Sequence, residues 1–254
     1  MNGMAGFAVL LRKELRESIR TLRLPIVAGL FVLVGIGSPA LARFTPEIVE
    51  ALAGDMGIPV PTPTVEAAID QLLRNLAQFG GLTAILLAMG SVAVEKERGT
   101  AALLLTKPVG RAAFLAAKLT ALGVVLGAAT LLATVGGWLY TAILFEQPSV
   151  AGFAAFGVLS WLSLFAYAAI TFLASTLTRS SLAAAGIGFV ALLAIGILSA
   201  FPEIGRFVPA GLGTPAGQLA LGEPTDPWTP VGATVGLIAA CGLLAWVSFR
   251  RQEL

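Results

Sequence analysis

Residues 182–201 read "LAAAGIGFVALLAIGILSAF". No side chain in this run carries a charge, and its apolar positions do not alternate with polar ones. A strand of a membrane barrel alternates, in segments of about 10 residues. A helix that crosses the hydrocarbon core needs about 20 apolar residues in succession. The run is therefore a spanning helix. It lies inside the charge-free window 180–202, and five similar windows surround it at 24–42, 75–94, 119–145, 147–178 and 227–249.

The composition agrees. The chain has 254 residues, 57% hydrophobic and 12% charged, where a soluble domain carries about 25% charged residues. One Lys or Arg at a helix centre costs about 2.5–3.5 kcal/mol on insertion, so six uninterrupted windows reflect a bilayer. The expected fold is an all-α integral membrane protein, one transmembrane domain over 1–254. Its spans are TM1 at 24–42, TM2 at 76–94, TM3 at 113–145, TM4 at 151–176, TM5 at 181–201 and TM6 at 230–249. An "ALA" at 40–42 could follow a cleavable signal, but the basic region before it runs to Arg23 and is patterned as a helix. The segment is therefore expected to stay.

Connectors between six spans alternate sides. The set holding the N-terminus, 95–118, Arg179 and 250–254 contains 13 of the 16 Lys and Arg; only Arg43, Arg74 and Arg206 fall opposite. The positive-inside rule then places both termini in the cytoplasm of a multi-pass plasma-membrane protein. Residues 5–22 form an expected interfacial amphipathic helix, with Phe7, Leu11, Leu15 and Ile19 on one stripe and Arg12, Lys13, Arg16 and Arg20 largely elsewhere. TM1 is expected to end near Ser38-Pro39. A small external segment, 44–75, is expected to hold two short helices with Thr45 and Thr62 as N-caps. Residues 202–229 are Gly/Pro-rich yet half apolar, which suggests short helices dipping into the outer leaflet. Small residues at close-packing spacing occur at Gly123/Gly127, Ala184/Gly188 and Gly232/Gly236.

Several chemistries find no residues here. The spans lack the ionisable groups that proton or sodium coupling uses. They also lack a serine with a base, a metal-ligand pair or paired carboxylates. The chain has no histidine, and its single cysteine, Cys241, can form no intrachain disulfide. No G-x-x-x-x-G-K-[ST] phosphate loop is present. The chain is therefore expected to be no enzyme, with no catalytic, cofactor or metal residue. Ser160, Ser163 and Tyr167 in TM4 are candidate substrate-path residues; the alternative is that they bond a neighbouring helix.

One connector stands apart. Residues 94–118, "VEKERGTAALLLTKPVGRAAFLAAK", carry seven of the thirty charges between two apolar windows. Gly99 breaks the helix leaving TM2, Leu103, Leu104 and Leu105 give an apolar surface, and Pro108 and Gly110 turn the chain into TM3. Glu95, Lys96, Glu97, Arg98, Lys107 and Arg111 form a charged rim. Such a knob is expected to be covered by a partner. The alternative is a solvated loop whose leucines lie on the membrane.

These residues resemble a family. Glu95, Glu97, Gly99 and Thr100 directly after the second span, then "LLL-x-x-P-x-x-R" ending at Pro108 and Arg111, are similar to the permease subunit of type-2 ATP-binding-cassette (ABC) exporters. The likeness extends to the interfacial helix, six spans and broken segment before TM6. It implies that residues 95–111 are a cytoplasmic coupling helix docking on a separate ATPase, which would hold ATP and Mg. Glu95, Glu97, Arg98, Gly99, Thr100, Leu103, Leu104, Pro108 and Arg111 are then the ATPase-coupling residues. A second permease, as homodimer or heterodimer, and the bilayer are the other partners, with no nucleic acid. An amphipathic, lipid-like, drug-like or peptide substrate moving outward suits the apolar interior. The reading from another class is a non-transporting scaffold or sensor that recruits a cytoplasmic protein through the same connector.

Overall fold

The computed structural model describes residues 6–53, 62–99 and 110–252, and these are helical throughout with short turns between. In chain order the helices are α1 (Phe7–Arg20), α2 (Arg23–Ala53), α3 (Val65–Asn75), α4 (Gly81–Ala88), α5 (Ala93–Glu97), α6 (Arg111–Leu144), α7 (Val150–Leu177), α8 (Ser181–Ser199), α9 (Pro202–Gly205), α10 (Gly213–Ala220) and α11 (Trp228–Arg250). A π-turn, Leu76–Gly80, joins α3 to α4, and a 3-10 turn, Pro209–Leu212, precedes α10. Among the described residues, six segments are long and apolar enough to cross a membrane: α2, the run Val65–Glu97, α6, α7, α8 and α11.

α6 and α7 form the centre. In their most apolar windows 50% and 56% of residues are buried, against 17% in both α8 and α11. The peripheral pair therefore keeps apolar side chains such as Leu182, Val190, Ile197 and Leu243 on the outside. A close backbone approach joins α2 to α6. A Cβ on Gly35 would stand 2.8 Å from the Ala133 Cα, so only glycine fits there. The expected small-residue pairs behave unequally. Gly123 and Gly127 lie under the rings of Phe165 and Trp161, and Gly188 lies against Thr171, but Gly232 and Gly236 face open space.

The first span does not stop near Ser38-Pro39. One 31-residue helix runs through both Pro39 and Pro46. The residue before each proline turns its hydroxyl back along the helix, Ser38 Oγ to Val34 O at 2.6 Å and Thr45 Oγ1 to Leu41 O at 2.5 Å. Thr45 is thus inside a helix and caps nothing. Nor does Thr62 begin α3; Thr64 does, its hydroxyl accepting from Ala67 N at 3.2 Å. The expected two external helices are extensions of the first two spans, fastened by Asn75 Nδ2 donating to Ser38 Oγ at 2.9 Å. Residues 202–229 do break into short pieces, which pack on α7. A Cβ on Gly152 would meet the backbone of Leu219, and Leu212 and Ala216 are almost fully buried.

Leu22, with φ 58°, makes a tight left-handed elbow between α1 and α2. This lays α1 against α6, with Leu10 packed near Phe114 and Leu115 and Glu14 half-buried. The Phe7, Leu11, Leu15 and Ile19 stripe lines an open groove flanked by Arg12, Arg16 and Arg20.

Candidate functional site at the roots of the connector

α4 ends at Ala88, the chain turns, and α5 begins at Ala93. A helix start leaves N–H groups without partners. Ser175 of α7 supplies the cap: its fully buried Oγ accepts from Val92 N at 3.1 Å and Ala93 N at 2.9 Å. α5 closes after Glu97. Gly99 has φ 67°, the left-handed conformation that ends helices and favours glycine, and its N–H bonds Lys96 O at 3.2 Å.

Glu95 points into the molecule. Lys118, on the second turn of α6, is only 5% exposed, and its Nζ lies 2.8 Å from Glu95 Oε1 and 3.1 Å from Glu14 Oε1. It also stands 5.2 Å from the centre of the Phe114 ring. Lys13 joins the cluster at 3.0 Å from Glu14, 3.0 Å from Glu17 and 3.7 Å from Glu95. A lone buried ammonium costs several kcal/mol; here carboxylates from α1 and α5 enclose it. Burial alone would raise the pKa of Glu14, but the ammoniums of Lys118 and Lys13 outweigh that and hold it below its ordinary value. Burial likewise opposes the charge on Lys13, and Glu14, Glu17 and Glu95 outweigh it in turn, so its pKa is raised. The cluster lines an open cleft of about 590 Å³, with Arg23 and Arg98 on its wall.

The two connector roots also grip α7 and α11, through Lys96 on α5 and Arg111 on α6. Lys96 Nζ donates to Thr176 O at 2.7 Å and to Gln252 Oε1 at 3.1 Å, and Gln252 Nε2 donates to Thr176 O at 3.0 Å. One guanidinium nitrogen of Arg111 donates to the carbonyls of Phe249, Arg250 and Gln252 at 3.2, 3.0 and 3.2 Å. Those are orphan acceptors at the end of α11, where the helix dipole favours a cation. Phe114 and Phe249 stack beneath them, ring centres 5.6 Å apart.

The sequence-predicted coupling residues therefore separate. Glu97, Arg98 and Gly99 are exposed. Glu95 and Arg111 belong to internal anchors and not to an outward rim. Thr100, Leu103, Leu104 and Pro108 lie outside the described residues. Sequence reasoning missed Lys13, Glu14, Lys118, Ser175 and Gln252. A lone lysine about two turns into an apolar helix was the available signal.

Of the substrate-path candidates, Ser160 and Ser163 come together. Both line a cavity of about 190 Å³ between the Leu73–Ala77 stretch, α7 and the broken segment around Leu212. Ser163 Oγ donates to Pro209 O at 3.0 Å. Tyr167 does not line it; it is buried among Ala84, Leu126 and Ile195. Other span hydroxyls, Thr130, Thr134 and Thr171, bond carbonyls of their own helices.

Comparison with known proteins fits this geometry. The model of the ABC-2 family transporter proteins matches residues 8–206. A transmembrane protein of Bacillus subtilis strain 168, YxlG, is 28% identical over 98% of this chain and 99% of its own length. NosY of Pseudomonas aeruginosa PAO1, named a probable ABC transporter permease, is 37% identical over 48% of this chain and 40% of its own length. With six spanning helices and a family match across most of its length, this multi-pass membrane chain belongs to the ABC-2 transporter family.

Proposed function

We propose that this chain is the permease subunit of an ABC exporter, moved from the cytoplasmic side by a separate ATPase that holds ATP and Mg. The observation that carries this reading is the anchoring of the connector. Its roots are bonded to α1 through Lys118 and Lys13, to α7 through Ser175 and Thr176, and to α11 through Arg111. Between those roots Glu97, Arg98 and Gly99 stand exposed. A push on the connector is thereby delivered to three helices at once. Packed helices switch between discrete arrangements and do not deform smoothly, so the push rocks the bundle.

In this reading α1 lies in the cytoplasmic interface, its open apolar stripe in the acyl region and Arg12, Arg16 and Arg20 at anionic headgroups. The uncovered faces of α8 and α11 supply area for lipid and a second permease. The cargo is an amphipathic, lipid-like, drug-like or peptide molecule. The test is co-expression with the ABC ATPase that co-purifies with the chain, followed by ATPase and transport assays in vesicles. Gly99→Pro, which breaks the left-handed turn, and Leu104→Asp should uncouple hydrolysis from transport while leaving insertion intact. Variants that transport normally refute the coupling role.

A further inference from the structure

We propose that the cavity between the second span, α7 and the broken outer segment is a binding site for the apolar body of an amphipathic anion. The proposal goes beyond the coupling reading and does not depend on it.

Three observations build the site. The first is an unsatisfied group. Ser160 is 7% exposed, and its Oγ has no hydrogen-bond partner. Its neighbour Ser163 is already engaged in holding Pro209. A buried hydroxyl with no partner is costly, and a rotation of Ser160 toward a ligand's hydroxyl or carbonyl in the cavity would recover that cost. The second is shape. The remaining wall is almost wholly apolar, from Leu73, Leu76, Leu159, Leu164 and Leu212. A comparable apolar cavity of about 150 Å³ stays dry and takes one benzene ring. A cavity of about 190 Å³ thus holds one ring or a short stretch of chain. It lies beside the π-turn Leu76–Gly80, where the second span widens; such turns mark functional sites in helices. The third is charge. Arg74 lines the same cavity with an exposed side chain. It bonds Gln71 at 3.3 Å and stands 3.8 Å from exposed Asp70, a weak pair that leaves guanidinium donors for an anion.

The occupant is therefore an anionic head on Arg74, an apolar body in the cavity, and a polar group within reach of Ser160. A free single-chain amphiphile and a bilayer phospholipid share this chemistry. The test uses the purified full-length chain in phosphatidylcholine nanodiscs. The probe is a medium-chain carboxylic acid with a mid-chain ketone and a diazirine near its methyl end, and adducts are mapped by mass spectrometry. We expect labelling within the 159–164 and 73–77 stretches. Ser160→Ala should reduce it about fivefold, the worth of one hydrogen bond. Arg74→Gln should reduce labelling by the acid about tenfold and labelling by the matching uncharged alcohol hardly at all. Ala210→Phe, which fills the space, should abolish it. Should that variant fail to insert, the Ser160 and Arg74 variants decide. Competition by unlabelled acid alone assigns the site to a free amphiphile, and equal competition by phosphatidylglycerol assigns it to a lipid. Competition by neither, or labelling spread over α8 and α11 and indifferent to the variants, overturns the proposal.

Discussion

The two ends of α7 are built to opposite rules. At the connector end its polar groups are fully used: Ser175 Oγ holds two backbone N–H groups and Thr176 O accepts from both Lys96 and Gln252. Further toward the opposite end, Ser160 Oγ is buried with nothing to bond, beside a cavity. The first arrangement has many partners per group and leaves little freedom to rearrange. The second leaves a cost that an incoming molecule can remove. One helix thus joins a tight frame, where force would enter, to an unfilled space, where a ligand would sit.

The contrast breaks most sharply at Lys118. Replacing it by Met removes the buried one of the two ammoniums, Lys118 and Lys13, that Glu14 and Glu95 share, at carboxylates only about 17% and 16% exposed. Breaking a buried pair by removing one partner costs about 3–5 kcal/mol. Thermal unfolding in detergent should show a loss of that order, with partial recovery when Glu14→Gln and Glu95→Gln are added. At Ser175 a smaller loss is expected. Ser175→Ala leaves two N–H groups buried and should cost about 1–3 kcal/mol. Amide exchange should rise at Val92 and Ala93 first, while the cavity around Ser160 stays unchanged.

The gentlest probe is pH. The folded-state pKa of Glu14 is below its ordinary value of 4.5. Its ion pairs thus contribute stability that is complete well above pH 4.5 and is lost as pH falls through the depressed value. Lys13 is raised above 10.5, so its contribution is complete below that value and is lost only on passing through the raised value in strong alkali. Between those limits the Lys13–Glu14 pair should be insensitive to pH, and Glu14→Gln should flatten the acid limb of a stability profile and weaken the alkaline limb as well, because Glu14 also holds Lys13 high.

How much of this was legible follows from what each feature depends on. Six spans were readable because exclusion of charge is a property of consecutive residues, as in 182–201. The helix break at Gly99 was readable because glycine tolerates the left-handed turn. Pro39 and Pro46 misled, because prolines stop helices in water, whereas here Ser38, Thr45 and the contact with α6 carry α2 through. Ser175 gave no local sign, since its partners lie 82 and 83 residues away. Arg111 read as a surface cation because nothing nearby in sequence reveals that α11 ends beside it.

In the proposed mechanism the connector and its anchors move as one body. Spin labels at the exposed positions Arg98 and Arg16, in a Cys241→Ala background, would report on α5 against α1 by pulsed electron resonance. In the transporter assembled with its ATPase, the Arg98–Arg16 distance should be the same without nucleotide and with ATP trapped, while the Arg98 label shifts relative to the second permease. A nucleotide-dependent change within the Arg98–Arg16 pair would contradict the account.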